Sequence, residues 1–184
     1  MSSQQSGATA LLVIDVQQSF EHAPCWSDRD LSAFQRKLNQ LIEGCVARNV
    51  PVVRVFHVSP KGPFALDSGW VKPMEWVPAA HDAAFHKHVH NAFTDTGLDR
   101  WLRERKIDGL IVSGIRTEQC CETTTRVASD LGYAVDFVTE ATLTFDMKHP
   151  NGRSFTADEV KEKTELVLAG RFARIRTVAE CLQA

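Results

Sequence analysis

Three chemically distinct side chains stand where predicted strands end, and together they could form an activated nucleophile. Asp15 ends an apolar run, Lys87 lies in an extended segment, and the adjacent Cys120 and Cys121 open a predicted helix. A carboxylate, an ammonium group and a thiol are the parts that cysteine-dependent catalysis needs. Taken singly, each has an ordinary explanation: a capping aspartate, a surface lysine and an inert buried cysteine. Spacing alone does not choose between the two cysteines.

The expected position of the thiol suggests how it would react. Unpaired N–H groups in the first turn of a helix carry partial positive charge, which favours a thiolate, and a nearby lysine would act in the same direction. The same N–H groups could bind a developing oxyanion. A carboxylate beside the sulfur would carry its proton to the leaving nitrogen.

The chain alternates between apolar strand patterns and helical patterns. We predict strands at 10–16, 51–57, 85–90, 109–115, 133–139 and 172–177. We predict helices at 29–48, 95–106, 117–131, 156–169 and 178–183. A long excursion rich in Pro, Gly and Trp fills 58–85, and a loop fills 140–155. This order predicts an α/β fold with a doubly wound, mostly parallel sheet of about six strands and helices on both faces. Ligands of such sheets bind beyond the carboxyl ends of the strands.

Length and charge exclude several classes of function. The 184 residues predict one domain, 1–184, with a flexible polar segment at 1–9. The net charge of -2 gives no general attraction to nucleic acid or to an anionic membrane. No apolar run reaches the roughly 20 residues that span a bilayer, and no signal peptide is evident. Five scattered cysteines, an odd number, favour free thiols, and we expect a cytoplasmic protein.

Three separated blocks of sequence resemble the isochorismatase-like cysteine hydrolases. LLVIDVQQSF (11–20) is similar to the opening strand of that family, with its acid, and HKHVHNAF (86–93) is similar to its lysine block, with Asn91 where serine is usual. LIVSGIRTEQCCETTTRVASDLGYAV (110–135) is similar to the Gly-x-x-Thr-Asp/Glu-x-Cys signature. The signature places the nucleophile on Cys120, with Cys121 in a position usually held by valine.

The resemblance implies a catalytic triad of Cys120, Asp15 and Lys87. It also implies a cis peptide between Ile115 and Arg116, which would direct the N–H groups of Arg116 and Cys120 at the substrate oxygen. The implied function is hydrolysis of an amide-type C–N bond of a small amide or ureide through a thioester. A vinyl ether hydrolase that releases pyruvate, and a non-catalytic binding protein of the same fold, are the alternatives.

No metal and no other cofactor is expected. Nicotinamidase-like members hold a metal with an Asp-x-His pair after the second strand, but here the sequence is Val55-Phe56-His57, without the carboxylate. The alternation of His86, His88 and His90 would place them on one face of a strand, where they could chelate zinc adventitiously.

Several residues are candidates for substrate contact. They are Gln17, Phe20, His57, Trp70, Trp76, His90 and Asn91. Apolar residues in the excursion at 58–85 also predict a homodimer or homotetramer.

Overall fold

The computed structural model describes residues 8–183, which form one parallel sheet covered by helices on both faces. The expected flexible segment 1–9 lies outside the described residues up to position 7, and Ala8 and Thr9 already belong to the first strand. The order along the sheet is β3-β2-β1-β4-β5-β8, and every neighbouring pair is parallel. The predicted doubly wound fold is confirmed.

The strands of the main sheet and the helices agree in order with the sequence pattern. The strands are β1 (Ala8–Ile14), β2 (Val52–His57), β3 (Ala83–Lys87), β4 (Ile107–Ile115), β5 (Ala134–Leu143) and β8 (Arg174–Ile175). The helices are α1 (Leu31–Ala47), α2 (Leu98–Glu104), α3 (Glu122–Asp130), α4 (Ala157–Leu168) and α5 (Val178–Gln183). The loop expected at 140–155 contains a small antiparallel hairpin, β6 (Met147–Lys148) and β7 (Ser154–Phe155).

Alternate residues of the strands feed two separate apolar cores. Leu12 of β1 packs with α2, α3 and α4 on one face, whereas Leu11 and Val13 pack with α1 and α5 on the other. Successive side chains of a strand point to opposite faces, so a strand covered on both sides must be apolar throughout. That requirement explains the uninterrupted apolar run of β1, and it makes the open carboxyl edge the place where polar side chains collect.

Two backbone positions shape that edge. Asp15 has a φ of 53°, so the chain leaves β1 sharply, and Gly114 on β4 has a φ of 126°. A Cβ at Gly114 would lie only 2.0 Å from the carbonyl oxygen of Ile14, so only glycine fits there. The two central strands therefore approach closely just before the residues that carry the site.

Two of the predicted boundaries that differ from the structure lie beside the carboxyl edge of the sheet. The helix expected over 117–131 begins as a π-helical turn, Thr117–Cys121, and becomes α-helical only at Glu122. The strand expected to end at 139 continues to Leu143, because a bulge lets Gly114 pair with Thr142 after Val112 has paired with Phe137.

No helix among residues 8–183 is long and apolar enough to cross a bilayer.

Candidate active site

The side chain of Lys87 lies at the centre of a buried polar cluster at the carboxyl edge of the sheet. Its Nζ is 2.8 Å from Oδ2 of Asp15 and 3.3 Å from Sγ of Cys120. The Lys87 and Asp15 side chains are essentially inaccessible to solvent, and Cys120 is 7% exposed. We call these three residues the Lys87 cluster. Three separated parts of the sequence thus bring an acid, an ammonium group and a thiol into contact.

Each member of the cluster is positioned by a different break in regular structure. Asp15 follows the sharp exit from β1, and Lys87 is the last residue of β3. Cys120 lies in the π-helical turn, where the Arg116 carbonyl accepts hydrogen bonds from the N–H groups of Gln119 and Cys121, both at 3.2 Å. The two bonds straddle Cys120. π-helical turns are rare in proteins, but those that occur often lie at functional sites.

The Ile115–Arg116 peptide is cis, as the resemblance implied. It joins the end of β4 to the turn that carries Cys120. The hydroxyl of Thr117 donates to Thr142 Oγ1 at 2.7 Å, which in turn donates to the Thr139 carbonyl. These bonds fix the turn to the bulged part of β5.

Burial raises the pKa of the Cys120 thiol, and the Asp15 carboxylate raises it further, while Lys87 lowers it by a smaller amount. This direction is opposite to the one that the helix start and the lysine would give by themselves. Loss of water around the sulfur outweighs both the helix start and the ammonium group. The resting sulfur is a thiol, so its proton must leave during the reaction.

The Asp15 carboxylate is ready to take a proton. Burial raises the pKa of Asp15, although Lys87 opposes the shift. Lys87 lies close to Oδ2, but neither carboxylate oxygen has a partner of good hydrogen-bond geometry among residues 8–183. Burial also acts to lower the pKa of Lys87, but Asp15 and Cys120 together raise it, so the lysine stays charged.

His57, at the end of β2, is a fourth contact of the cluster. Its Nδ1 lies 3.2 Å from Lys87 Nζ, and its ring is 5.8 Å from that of Phe64 and 6.4 Å from that of His90. Burial lowers the pKa of His57 to about 4, with help from Lys87 and His90. His57 is thus a neutral imidazole at the cluster.

An aromatic group adjoins His57. Phe64 meets Phe20 edge-on at 5.0 Å, and Phe145 lies 6.5 Å from Phe20. The Phe145 ring also packs at a tilt of 60° against Trp26, with centroids 5.7 Å apart, and lies under the Arg116 guanidinium at 5.5 Å. The predicted substrate residue Phe20 therefore belongs to a wall that joins the excursion to the Cys120 turn.

Three predicted contact residues are occupied elsewhere. The Asn91 side chain accepts from the N–H groups of Phe93 and Thr94 at 2.9 Å, which is a local turn. Trp76 packs edge-on against Phe34 of α1 at 5.7 Å. Trp70 stacks on His22 at 4.0 Å. The structure brings none of these three into contact with the Lys87 cluster.

Gln17 is also occupied, by the backbone of His57. Its Oε1 accepts from the His57 N–H at 2.7 Å, and its Nε2 donates to the His57 carbonyl at 3.0 Å. Gln17 is wholly buried and also donates to Ser19 Oγ at 2.8 Å. The side chain is therefore a link between the ends of β1 and β2.

The residues around His57 do not fit a metal ion. Val55, which stands where nicotinamidase-like members have the metal-binding aspartate, is buried in the core. The Lys87 ammonium group lies against Nδ1 of His57. Strand β3 ends at Lys87, so the expected single strand face of His86, His88 and His90 does not form. Between Ala8 and Gln183, no cluster of three or more His, Cys, Asp or Glu side chains could hold a metal.

Sequence reasoning missed a second ion pair beside the thiol. Arg116 Nη2 lies 3.0 Å from Glu118 Oε1, and Thr144 donates to Glu118 Oε2 at 2.5 Å. Glu118 also lines a cavity of about 750 Å³ between the β6–β7 hairpin and α4, whose lining does not include the Lys87 cluster. The sequence did offer a signal for this ion pair, since Arg116 and Glu118 are oppositely charged and lie between the end of β4 and Cys120.

The comparisons with known proteins agree on one family. A family model described as the isochorismatase domain matches residues 9–170. The uncharacterized isochorismatase family protein YrdC of Bacillus subtilis is 26% identical over 94% of both chains, and nicotinamidase 3 of Arabidopsis thaliana is 31% identical over 91% of this chain and 84% of its own. A crystal structure of a cysteine hydrolase from Pseudomonas syringae pv. phaseolicola superposes with a TM-score of 0.86 at 25% identity, covering 95% of this chain and 91% of that one.

Proposed function

Because the chain belongs to the isochorismatase family of hydrolases, we propose that it cleaves an amide-type C–N bond of a small molecule through a thioester on Cys120. The observation that carries this proposal is the contact of the buried Lys87 side chain with both Asp15 and Cys120. The relative named nicotinamidase supports an amide as the substrate class.

The first step couples proton transfer to attack. Asp15 takes the proton of the Cys120 thiol, and the sulfur forms a bond to the carbonyl carbon of the substrate. The electron pair of the C=O bond moves to oxygen, where the N–H groups of Arg116 and Cys120 bind the oxyanion. The raised pKa of Asp15 makes it a stronger base than a solvated aspartate, and the charge of Lys87 stabilises the sulfur as it becomes negative.

The second half releases both products. Asp15 returns the proton to the substrate nitrogen, and the C–N bond breaks. Ammonia or an amine departs, and the acyl group remains bound to the Cys120 sulfur. Water gives a proton to Asp15 and attacks the thioester, the C–S bond breaks, and the proton returns to Cys120. The sum is amide plus water giving carboxylic acid plus ammonia or amine, with the enzyme unchanged.

The test is an ammonia-release screen over small primary amides, ureides and carbamoyl compounds. The matched variants are Cys120→Ala and Cys121→Val. Cys121 is wholly buried and adjoins the nucleophile, so its replacement by a residue of similar volume changes the neighbour alone. We expect the Cys121 variant to keep activity within about threefold and the Cys120 variant to lose it.

Mass spectrometry of the quenched reaction should find the acyl group on Cys120. Ammonia release that survives in Cys120→Ala would refute the proposal. Pyruvate release without ammonia would assign the vinyl ether reaction instead. A folded protein that turns over no member of the panel, and that carries no acyl group on Cys120 after incubation with any of them, would be a binding protein.

A further inference from the structure

The Lys87 ammonium group has more acceptors around it than it has hydrogens. Asp15 Oδ2 lies at 2.8 Å, the Val89 carbonyl at 3.1 Å, His57 Nδ1 at 3.2 Å and Cys120 Sγ at 3.3 Å. An ammonium group has three N–H bonds and no acceptor. Four acceptors must therefore share the three N–H bonds of Lys87. How these bonds are shared decides how strongly Lys87 binds Asp15 and how strongly it binds the Cys120 sulfur.

The His57 ring must present a lone pair to Lys87. A hydrogen on Nδ1 would point at a cation 3.2 Å away, so the proton of the neutral imidazole belongs on Nε2. The same cation and the ring of His90 oppose a second proton, as does burial, which is the largest cause of the lowered pKa of His57. His88 acts weakly in the same direction, and a bond to the Val89 carbonyl acts against it.

The position of the ring is set by the strand that carries the acid. Gln17, two residues after Asp15, bonds both the N–H and the carbonyl of His57 and is itself wholly buried. Phe64 packs edge-on against the ring. An acceptor held this rigidly restricts the rotation of the ammonium group, because a hydrogen bond weakens steeply when the N–H points away from its acceptor.

We propose that His57 is a positioning residue whose Nδ1, together with the Val89 carbonyl, holds two N–H bonds of Lys87 away from the reacting groups. One N–H is then shared between Asp15 and Cys120. Of the four contacts, the one with Asp15 Oδ2 is the shortest, and it is an ion pair whose hydrogen-bond angles are poor. The acid stays free to take the thiol proton, and the shared N–H turns to the sulfur as negative charge develops. The role presupposes the proposed chemistry at Cys120.

The proposal separates two properties that usually change together. Without the Nδ1 acceptor, the released N–H binds Asp15 and the sulfur. The acid then becomes a weaker base, which slows hydrolysis, while the thiolate becomes more stable, which speeds its alkylation. A residue that merely supports the fold would lower both rates.

The experiment compares His57→Asn, His57→Gln and His57→Phe. An asparagine oxygen can take the place of Nδ1, a glutamine amide reaches the place of Nε2, and phenylalanine keeps the ring without an acceptor. His86→Asn is the matched control, because His86 precedes Lys87 on β3 and is exposed. All variants carry Cys25→Ser, since the exposed Cys25 would also react with iodoacetamide.

We expect His57→Phe and His57→Gln to lower kcat roughly tenfold to a hundredfold with little change in KM. The rate of Cys120 alkylation at a fixed pH of about 8 should rise about tenfold in both, which corresponds to a thiol pKa lower by about one unit. His57→Asn should restore both properties to within about threefold of the parent. Equal behaviour of the Asn and Gln variants, or an unchanged alkylation rate in His57→Phe, would overturn the proposal.

A second measurement needs no variant and no substrate. The ¹⁵N chemical shifts of the histidine rings should identify His57 as the Nε2–H tautomer, neutral from pH 8 down to pH 5. A proton on Nδ1, or titration near the ordinary value of 6.5, would refute the Lys87–His57 bond. Absence of ammonia release from every amide would refute the proposed function instead, because the tautomer and the alkylation rate are measured independently of it.

Discussion

Two almost buried ion pairs flank the turn that carries Cys120, and they are built differently. Lys87 and Asp15 lie on separate strands at 2.8 Å, with side chains 0% and 1% exposed. Arg116 and Glu118 lie within one turn at 3.0 Å, with side chains 12% and 9% exposed. Glu118 has a second partner, the Thr144 hydroxyl, whereas Lys87 is the single cationic contact of Asp15 among the described residues.

The proposed function makes the first pair a reacting one and the second a supporting one. Both pairs contain a buried oxygen without a well-aligned hydrogen bond, Asp15 Oδ2 and Glu118 Oε1, so hydrogen bonding alone does not separate them. The cation of the first pair also contacts the thiol, whereas that of the second lies over the Phe145 ring. We therefore expect substitutions in the first pair to change chemistry and stability together, and substitutions in the second to change mainly stability.

The largest effect is expected from Lys87→Met. It leaves Asp15 buried without its cation, so we expect a loss of about 3–5 kcal/mol in the free energy of unfolding. Hydrolysis should fall roughly 10³-fold because the developing thiolate loses its counter-charge. The double variant Lys87→Met/Asp15→Asn should recover much of the stability but none of the activity. Urea unfolding and ammonia release measure the two, and an unchanged unfolding midpoint in the single variant would contradict the contrast.

A smaller effect is expected from Glu118→Gln. It removes the charge that faces Arg116 while keeping the shape, and we expect a loss of about 2 kcal/mol in unfolding free energy. Activity should fall less than about tenfold, because this pair does not contact the sulfur. Arg29→Ala is the control, since its pair with Asp146 is exposed and screened by solvent, so we expect a much smaller change in stability. A loss of activity as large as that of Lys87→Met would abolish the distinction between the pairs.

The smallest effect concerns acid. The pKa of His57 is lowered to about 4 in the folded chain, so the unfolded chain binds a proton first as the pH falls below about 6.5. Stability should therefore fall between pH 6.5 and pH 4, by about 1 kcal/mol once partial exposure of the ring is allowed for. Asp15 acts oppositely: its raised pKa means that the stability it contributes is lost as the pH rises through that pKa.

The measurement is the urea midpoint at pH 7 and at pH 4.5, for the parent and for His57→Asn. The variant lacks the titrating ring and should lose less stability on acidification. Equal losses in the two proteins would show that His57 titrates normally.

The sequence predicted the fold well because strand and helix periodicity are local. The apolar runs of β1 and β4 and the helical spacing of α1 were enough to predict a parallel sheet with helices on both faces. The errors fell where tertiary pairing overrides local pattern. Strand β5 continues past a bulge because Gly114 pairs with Thr142, and no local signal marks the π-helical turn at Thr117–Cys121.

At the site, the sequence identified the residues better than their electrostatics. Placing Asp15, Lys87 and Cys120 at strand ends was enough to predict that they meet. The sequence favoured a thiolate at Cys120, whereas burial favours the thiol, because desolvation depends on everything packed around the sulfur. Gln17 and Asn91 were taken for substrate contacts because an amide side chain looks the same in sequence whether it binds a ligand or a neighbouring backbone.

The side-chain amide of Gln17 takes the place of a peptide group in the hydrogen-bond ladder of the sheet. Where β1 turns away after Asp15, its own peptide groups can no longer pair with β2, and the side-chain amide supplies the missing donor and acceptor to His57. The hydrogen bonding between β1 and β2 is thus continued by one further pair of bonds. The ends of β1 and β2 therefore stay joined right up to the residues of the Lys87 cluster.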